Sequence, residues 1–338
     1  MKCWVIPSPK GIDSLTLIDR PDPTPGPRQV LVRVRATSLN YRDLITVEGS
    51  SARAAPKADL VPLSDGAGDV VAVGPGVTRV RAGDRVAGCF MQKWPGGTID
   101  EAAQASAMGG AIDGMLTELA VLEEDGVVRL PRHLSFEEGA TLPCAGVTAW
   151  HALVEIGEIK AGDTVLVLGS GGVSVCALQF ARMFGARVIA TSGSKAKAER
   201  LKQMGAEAVV DYRATPEWDK EVAKLTDGRG VDITVEVGGA GTLPRSFMAT
   251  RVAGRIAVIG LLTGAGAEVD PMPILRRNLR VQGLYVGNRQ MFEAMNRAIE
   301  AGGLKPVMDK VFPFAEAKDA YRHLKSQNHF GKVVISHG

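Results

Sequence analysis

The chain has 338 residues, 45% of them apolar, and a formal net charge of +3. That length suggests two domains, and that apolar fraction supplies real cores and excludes disorder. Basic residues are spread along the chain with acids between them, which excludes a nucleic-acid binder.

The N-terminus, MKCWVIPSPKGIDS, lacks the apolar core of a signal peptide. Residues 164–181 carry no charge, but they contain a glycine cluster with Thr, Ser and Gln, unlike a membrane span. A soluble cytoplasmic protein is expected. Cys3, Cys89, Cys144 and Cys176 form no C-x-x-C pair and no zinc-ribbon spacing. Scattered cysteines of this kind are usually small buried residues.

The first 125 residues or so read as β-rich. A Pro-rich loop, PDPTPGP, precedes QVLVRVRATS, whose alternation is that of a half-buried strand. GDVVAVG and DRVAGCF follow between glycine turns. Before them stands PLSDGAG, where Ser64-Asp65 reads locally as a tight turn. Residues 91–115, irregular and rich in Gly and Ala around Trp94, are expected to form part of a substrate mouth.

From about residue 160 the pattern changes. TVLVL, RVIAT, AVVDY, VDITVEV, RIAVIGL and LRVQGLYVG are apolar strands, with helical segments between them. The helix RQMFEAMNRAIEAGG closes the series, and the tail adds a helix and a last strand. Strands alternating with amphipathic helices imply a parallel sheet covered on both faces, a doubly wound nucleotide-binding architecture.

The strand TVLVL runs into Gly169-Ser170-Gly171-Gly172, with Val173 opening a helix. Glycine lets backbone approach a pyrophosphate, and the helix start offers free N–H groups to it. A helix–strand packing cluster would use similar residues. Here the third glycine of the G-x-G-x-x-G pattern is Ser174, so strand, helix and second strand must carry the reading. An enzyme for NAD places an acid after that second strand. This chain has Thr191, Ser192, Gly193, Ser194 and Lys195, with Lys197 close behind. Hydroxyls and an ammonium suit a 2′-phosphate, so NADPH is expected over NADH. The alternative is that the lysines are merely solvated.

ATSLNYRDL, PLSDGAGDVVAVGPGVTRVRAGDRV, LPCAGVTAW, the glycine turn and HFGKVVI together resemble the medium-chain dehydrogenase/reductase superfamily, over nearly the whole chain. The resemblance implies α/β architecture: a GroES-like β-rich domain at 1–126 and 304–338, and a Rossmann doubly wound parallel-sheet domain at 127–303. It also implies an active site in the cleft between them and a homodimer, with LRVQGLYVG as the pairing edge.

Zinc alcohol dehydrogenases of this superfamily carry metal ligands at the positions matched by Asn40, Ser64 and Cys144. Asn40 and Ser64 are poor partners for zinc. No histidine precedes His133, and the segment of the structural zinc lobe has no cysteine. Neither a catalytic nor a structural zinc is expected. The zinc-less pattern is most similar to quinone oxidoreductases and enone reductases.

By that resemblance Lys197 and Tyr212 hold the 2′-phosphate, and Thr148 lies near the nicotinamide or phosphates. Val237-Gly238 and Ile259-Gly260-Leu261 pass under the nicotinamide, and Lys332 faces the cleft. The Asn40 amide, the Tyr41 hydroxyl and Ser64 are the donors for an oxygen that gains charge, with Tyr41 or water returning the proton. Asp43 and Asp65 are expected to hold backbone, Cys144 to be a small helix residue, and His151 to lie on a helix surface. The expected function is NADPH-dependent, zinc-independent hydride transfer to a small-molecule acceptor, a quinone or α,β-unsaturated carbonyl. Two alternatives stay open: an NAD(P)-dependent alcohol dehydrogenase, and a non-enzymatic NADPH-binding protein.

Overall fold

The computed structural model describes residues 1–50, 57–264, 266 and 268–338. They fall into two compact units, Met1–Val147 with Gly287–Gly338, and Thr148–Val286.

The first unit is built on a seven-stranded sheet. Its order runs Met308–Pro313, Lys332–Ser336, Gln29–Ser38, Asp65–Val73, Arg85–Gly88, Val127–Arg129, and Leu119–Glu123 also pairs with Gln29–Ser38. Val30, Val32 and Val34 alternate into a core with Val70, Val86, Met108 and Met115. β-Branched residues on one face of a pleat pack this way. Toward its end the central strand changes character, and Ala36, Thr37 and Ser38 are all buried. Ser38 pairs with Asp65, so two polar residues meet at the buried end of adjacent strands. Leu63, just before them, takes φ 68, a left-handed backbone that a bulky residue rarely adopts.

The segment 127–147 and the helix Arg289–Gly302 belong with this unit, although the family resemblance implied boundaries at 126 and 303. Their bonds explain why. Ser38 Oγ donates 2.8 Å to Ala140 O, Asn296 Nδ2 donates 2.9 Å to Arg129 O, and Arg289 pairs with Asp125 at 2.6 Å.

The second unit holds six parallel strands in the order Ala208–Asp211, Arg187–Ser192, Thr164–Leu168, Val231–Glu236, Thr250–Val258, Arg280–Gly283. Numbered along this unit, that is 3-2-1-4-5-6, the strand order of a dinucleotide-binding domain. Thr164–Leu168 is buried at every residue, as a strand covered on both faces must be. Residues 164–181 are this strand and the helix after it, and no helix among the described residues is long and apolar enough to cross a membrane. The fifth strand starts five residues before the expected RIAVIGL and stops at Val258, so residues 259–261 are loop. Arg280–Gly283 is the sheet edge, as expected of LRVQGLYVG.

Candidate functional site

In the second unit the chain turns at the end of Thr164–Leu168. Gly169 has φ 74, which glycine adopts without strain. Its N–H donates 3.0 Å to Thr191 O, tying the turn to the second strand. Gly171 is the extended residue before the helix Gly172–Met183, and the space a side chain would fill at Gly169 or Gly171 is open. Gly172 and Val173 start the helix, half-buried. The free N–H groups and the partial positive charge of such a helix start favour an anion by about 0.3–2 kcal/mol. Ser174 replaces the third glycine because its Oγ donates 2.6 Å to Leu168 O, leaving no buried hydroxyl unpaired.

Ser192 and Ser194 shape the end of the second strand. Ser194 N donates 3.2 Å to Ser192 Oγ, and Ser194 Oγ accepts from Lys197 N at 3.5 Å, at the start of the helix Lys195–Gln203. Tyr212 is exposed. A side chain at Gly193 would meet Tyr212 Oη and Arg213 Nε, each at 2.7 Å, so both lie against this glycine. Arg213 is an exposed guanidinium beside the expected 2′-phosphate residues, and the sequence reading missed it. Its signal was its position next to Tyr212, just past the third strand.

Val237 and Gly238 follow the fourth strand. Their turn is held by Glu236, a fully buried carboxylate also missed in the sequence. It accepts from Gly238 N at 2.7 Å, Gly239 N at 3.0 Å, Thr242 Oγ1 at 2.6 Å, and Ser246 Oγ. A side chain at Gly260 would stand 2.4 Å from Val237 O, so glycine there permits close approach of two backbones. Ile259 N donates to Glu236 O at 2.8 Å, and Leu261 is exposed. Thr148 is buried. His151 is half-buried rather than on the surface, because its Nδ1 meets Val286 O at 2.8 Å; burial lowers its pKa.

The first unit gathers Asn40, Ser64, Asp65, Cys144 and Lys332. Lys332 is 3% exposed. Its Nζ donates to Leu39 O at 2.7 Å, Asn40 Oδ1 at 2.5 Å and Asp65 Oδ2 at 3.4 Å. Those bonds use the three N–H donors of an ammonium. Asp65 is fully buried and also accepts from Ser64 Oγ at 2.8 Å, Ser38 Oγ at 3.3 Å and Cys144 N at 3.3 Å. Ser64 is likewise buried, and its proton points at Asp65. In this arrangement Ser64 orients a carboxylate, and the Asn40 amide is the group left with protons to offer. Asn40 Nδ2 is buried and has no partner among the described residues. A buried donor in that condition costs about 1–3 kcal/mol, which an acceptor oxygen would recover.

Asn40 starts the helix Tyr41–Glu48, and its N–H donates 2.7 Å to Asp43 Oδ2. Asp43 therefore holds backbone, as expected. Burial pushes its carboxyl up to about 6, with the Arg42 guanidinium opposing. Tyr41, the first residue of that helix, is 44% exposed. Within residues 91–115, Met91, Trp94, Met108 and Met115 are buried, and Trp94 Nε1 donates 3.0 Å to Gly97 O.

A zinc ion does not suit this donor set. Asn40 Oδ1 and Asp65 already face an ammonium, Ser64 is a neutral hydroxyl, and burial raises the Cys144 thiol pKa. No group of three His, Cys, Asp or Glu that could hold a metal ion occurs among the described residues.

Residues 26–132 match the family model of the alcohol dehydrogenase GroES-like domain, and residues 172–301 that of the zinc-binding dehydrogenases. A zinc-type alcohol dehydrogenase-like protein of Schizosaccharomyces pombe is 44% identical over 315 residues, covering 91% of either chain. The crystal structure of an NAD-dependent alcohol dehydrogenase superposes with TM-score 0.91 at 35% identity, over 100% of both chains. A mycobacterial quinone oxidoreductase superposes with TM-score 0.82 at 27% identity, again over 100% of both chains. The GroES-like and Rossmann architecture is thus common to all of them, and the chain belongs to the medium-chain dehydrogenase/reductase superfamily of NAD(P)-dependent oxidoreductases.

Proposed function

We propose that the chain is an NADPH-dependent, zinc-independent reductase of activated acceptors, a quinone or an α,β-unsaturated carbonyl. The observation that carries this reading is the Asn40 amide. It presents a buried, unpartnered N–H where a zinc enzyme would place a ligand, and its oxygen is held by a lysine.

When bound, the nicotinamide supplies hydride. Gly169, Gly171 and the start of the helix Gly172–Met183 hold the pyrophosphate. Ser192, Ser194, Lys197, Tyr212 and Arg213 would hold the 2′-phosphate. Val237, Gly238 and residues 259–261 would carry the nicotinamide, with Thr148. In the first unit Asn40 Nδ2 donates to the acceptor oxygen as that oxygen gains charge. One such donor is worth about 2.7–4 kcal/mol of barrier. Tyr41, or water, returns the proton. A conjugated acceptor spreads the developing charge onto that oxygen, so this help suffices without a Lewis acid.

Similarity to the NAD-dependent alcohol dehydrogenase, at 35% identity, favours a second reading, oxidation of alcohols with NAD. That reaction needs a group to take the hydroxyl proton, and Asp65, the carboxylate beside Lys332, already accepts from Ser38, Ser64, Lys332 and the Cys144 N–H. For its setting we infer a cytoplasmic homodimer that pairs along the edge strand Arg280–Gly283; no disulfide joins the four cysteines.

NADPH oxidation measured across quinones, enones and simple aldehydes tests the reading. Turnover on quinones or enones without aldehydes is expected. Aldehyde turnover alone would support the alcohol dehydrogenase, and tight NADPH binding with no turnover would support a binding protein.

A further inference from the structure

We propose that Lys332 is a positioning residue for the Asn40 amide, and that it does not bind the cofactor. The inference deepens the reductase reading and rests on it for the identity of the acceptor.

Lys332 lies on the last strand of the first unit, 3% exposed. Each N–H of its ammonium has an acceptor within the unit: Leu39 O, Asn40 Oδ1 and Asp65 Oδ2. None is left for a phosphate or a ribose. The cleft-facing role that the family resemblance implied for Lys332 is therefore replaced by an internal one.

The ammonium is a donor only, so it decides which end of the Asn40 amide faces it. With Oδ1 turned to Lys332, Nδ2 must point the other way, where it has no partner among the described residues. A flipped amide would set N–H against N–H and leave the Leu39 and Asp65 bonds beside a repelling dipole. The lysine thus fixes the donor in the orientation that an acceptor oxygen needs. Asp65 neutralises the ammonium, and Ser38, Ser64 and the Cys144 N–H in turn fix Asp65. Preorganisation of this kind acts through an orienting second group, as it does around a metal ligand.

Lys332→Met alone would strand the buried Asp65 charge and unfold the site. The test is therefore the pair K332M/D65N, beside K332Q/D65N, which keeps an N–H donor at the position. Four quantities are read: thermal midpoint, Kd for NADPH, kcat on the best acceptor, and the Asn40 side-chain signals in protein labelled with ¹⁵N-asparagine. Asn40→Ala assigns those signals. We expect K332M/D65N to fold and to bind NADPH within about 3-fold of the parent. Its kcat should fall about 100-fold, and its Asn40 amide pair should shift and broaden. In K332Q/D65N about ten-fold of that kcat should return. A folded K332M/D65N with near-parental kcat and unmoved Asn40 signals would overturn the proposal. So would a loss of NADPH affinity as large as the loss of kcat, because that would make Lys332 a cofactor ligand. If the parent protein reduces no acceptor in the panel, the reductase reading fails by itself. The Asn40 signals still decide the role of Lys332. If K332M/D65N does not fold, they are read in K332Q/D65N, where signals matching the parent support the positioning role and loss of the fixed amide pair overturns it.

Discussion

Asn40 Oδ1 and Lys332 Nζ lie 2.5 Å apart, although 292 residues separate them in the chain. One residue opens the helix Tyr41–Glu48 and the other opens the final strand, so the sheet of the first unit is what brings them together. The pair makes Asn40 the central donor. Asn40→Ala is expected to lower kcat by about 10²–10³-fold with little change in NADPH affinity. Steady-state kinetics and cofactor titration on the same preparation check this, and an effect confined to KM would contradict it.

Glu236 gathers two backbone N–H groups and two hydroxyls in the buried turn before residues 238–242. Glu236→Ala leaves Gly238 N, Gly239 N and Ser246 Oγ without their acceptor, while Thr242 Oγ1 keeps Gly239 O at 3.3 Å. We expect a loss of about 3–5 kcal/mol, a fall in thermal midpoint of roughly 10 °C, and weakened binding of both NADPH and NADH. Thermal unfolding monitored with and without cofactor measures it. A variant as stable as the parent would show that water replaces the carboxylate.

Arg213 and Tyr212 both lie against Gly193. A guanidinium there favours a phosphate over a hydroxyl. Arg213→Ala should raise the Kd for NADPH about ten-fold and leave that for NADH unchanged. Equal weakening of both would assign Arg213 to the fold instead, and tighter NADH than NADPH binding by the parent would remove the cofactor preference altogether.

Asp43 is fully buried, and one of its oxygens has no partner among the described residues. Burial pushes its carboxyl up from 3.8 to about 6. The folded protein therefore binds this proton more tightly than the unfolded chain. The stability it contributes is complete below about pH 4 and is lost as pH rises through about 6. Asp43→Asn removes the titration and keeps an oxygen for the Asn40 N–H. Near pH 8 the variant should be more stable than the parent, by at most about 3 kcal/mol, with the advantage shrinking as pH falls toward 5. A stability difference that does not change with pH would contradict the shifted carboxyl.

Much of the fold was legible because its periods are strong. Thr164–Leu168 is wholly apolar, Gln29–Ser38 alternates, and both strands have the bounds the sequence suggested. The glycine turn could be placed because strand and helix flank it. The fifth strand was misplaced because Ala253 takes φ 56 inside it, and the irregular start hides the pattern. The unit boundaries shifted because Asn296 and Arg289 bond to residues more than 160 positions away, which no local pattern records. The candidate site was half legible. Asn40, Ser64 and Cys144 could be matched to the positions of metal ligands in zinc alcohol dehydrogenases, but the ammonium of Lys332 comes from the last strand, and only strand pairing brings it there. Arg213 and Glu236 escaped notice for a related reason: an arginine past a strand and an acid before a glycine pair look ordinary until their neighbours are known.

The account turns on a lysine-held amide standing where metal ligands would be. Metal content of the purified protein, measured together with kcat before and after exhaustive chelation, tests it most directly. We predict no stoichiometric metal and an unchanged kcat on a quinone or enone. One zinc per chain, with activity lost on chelation and restored by zinc, would contradict the account.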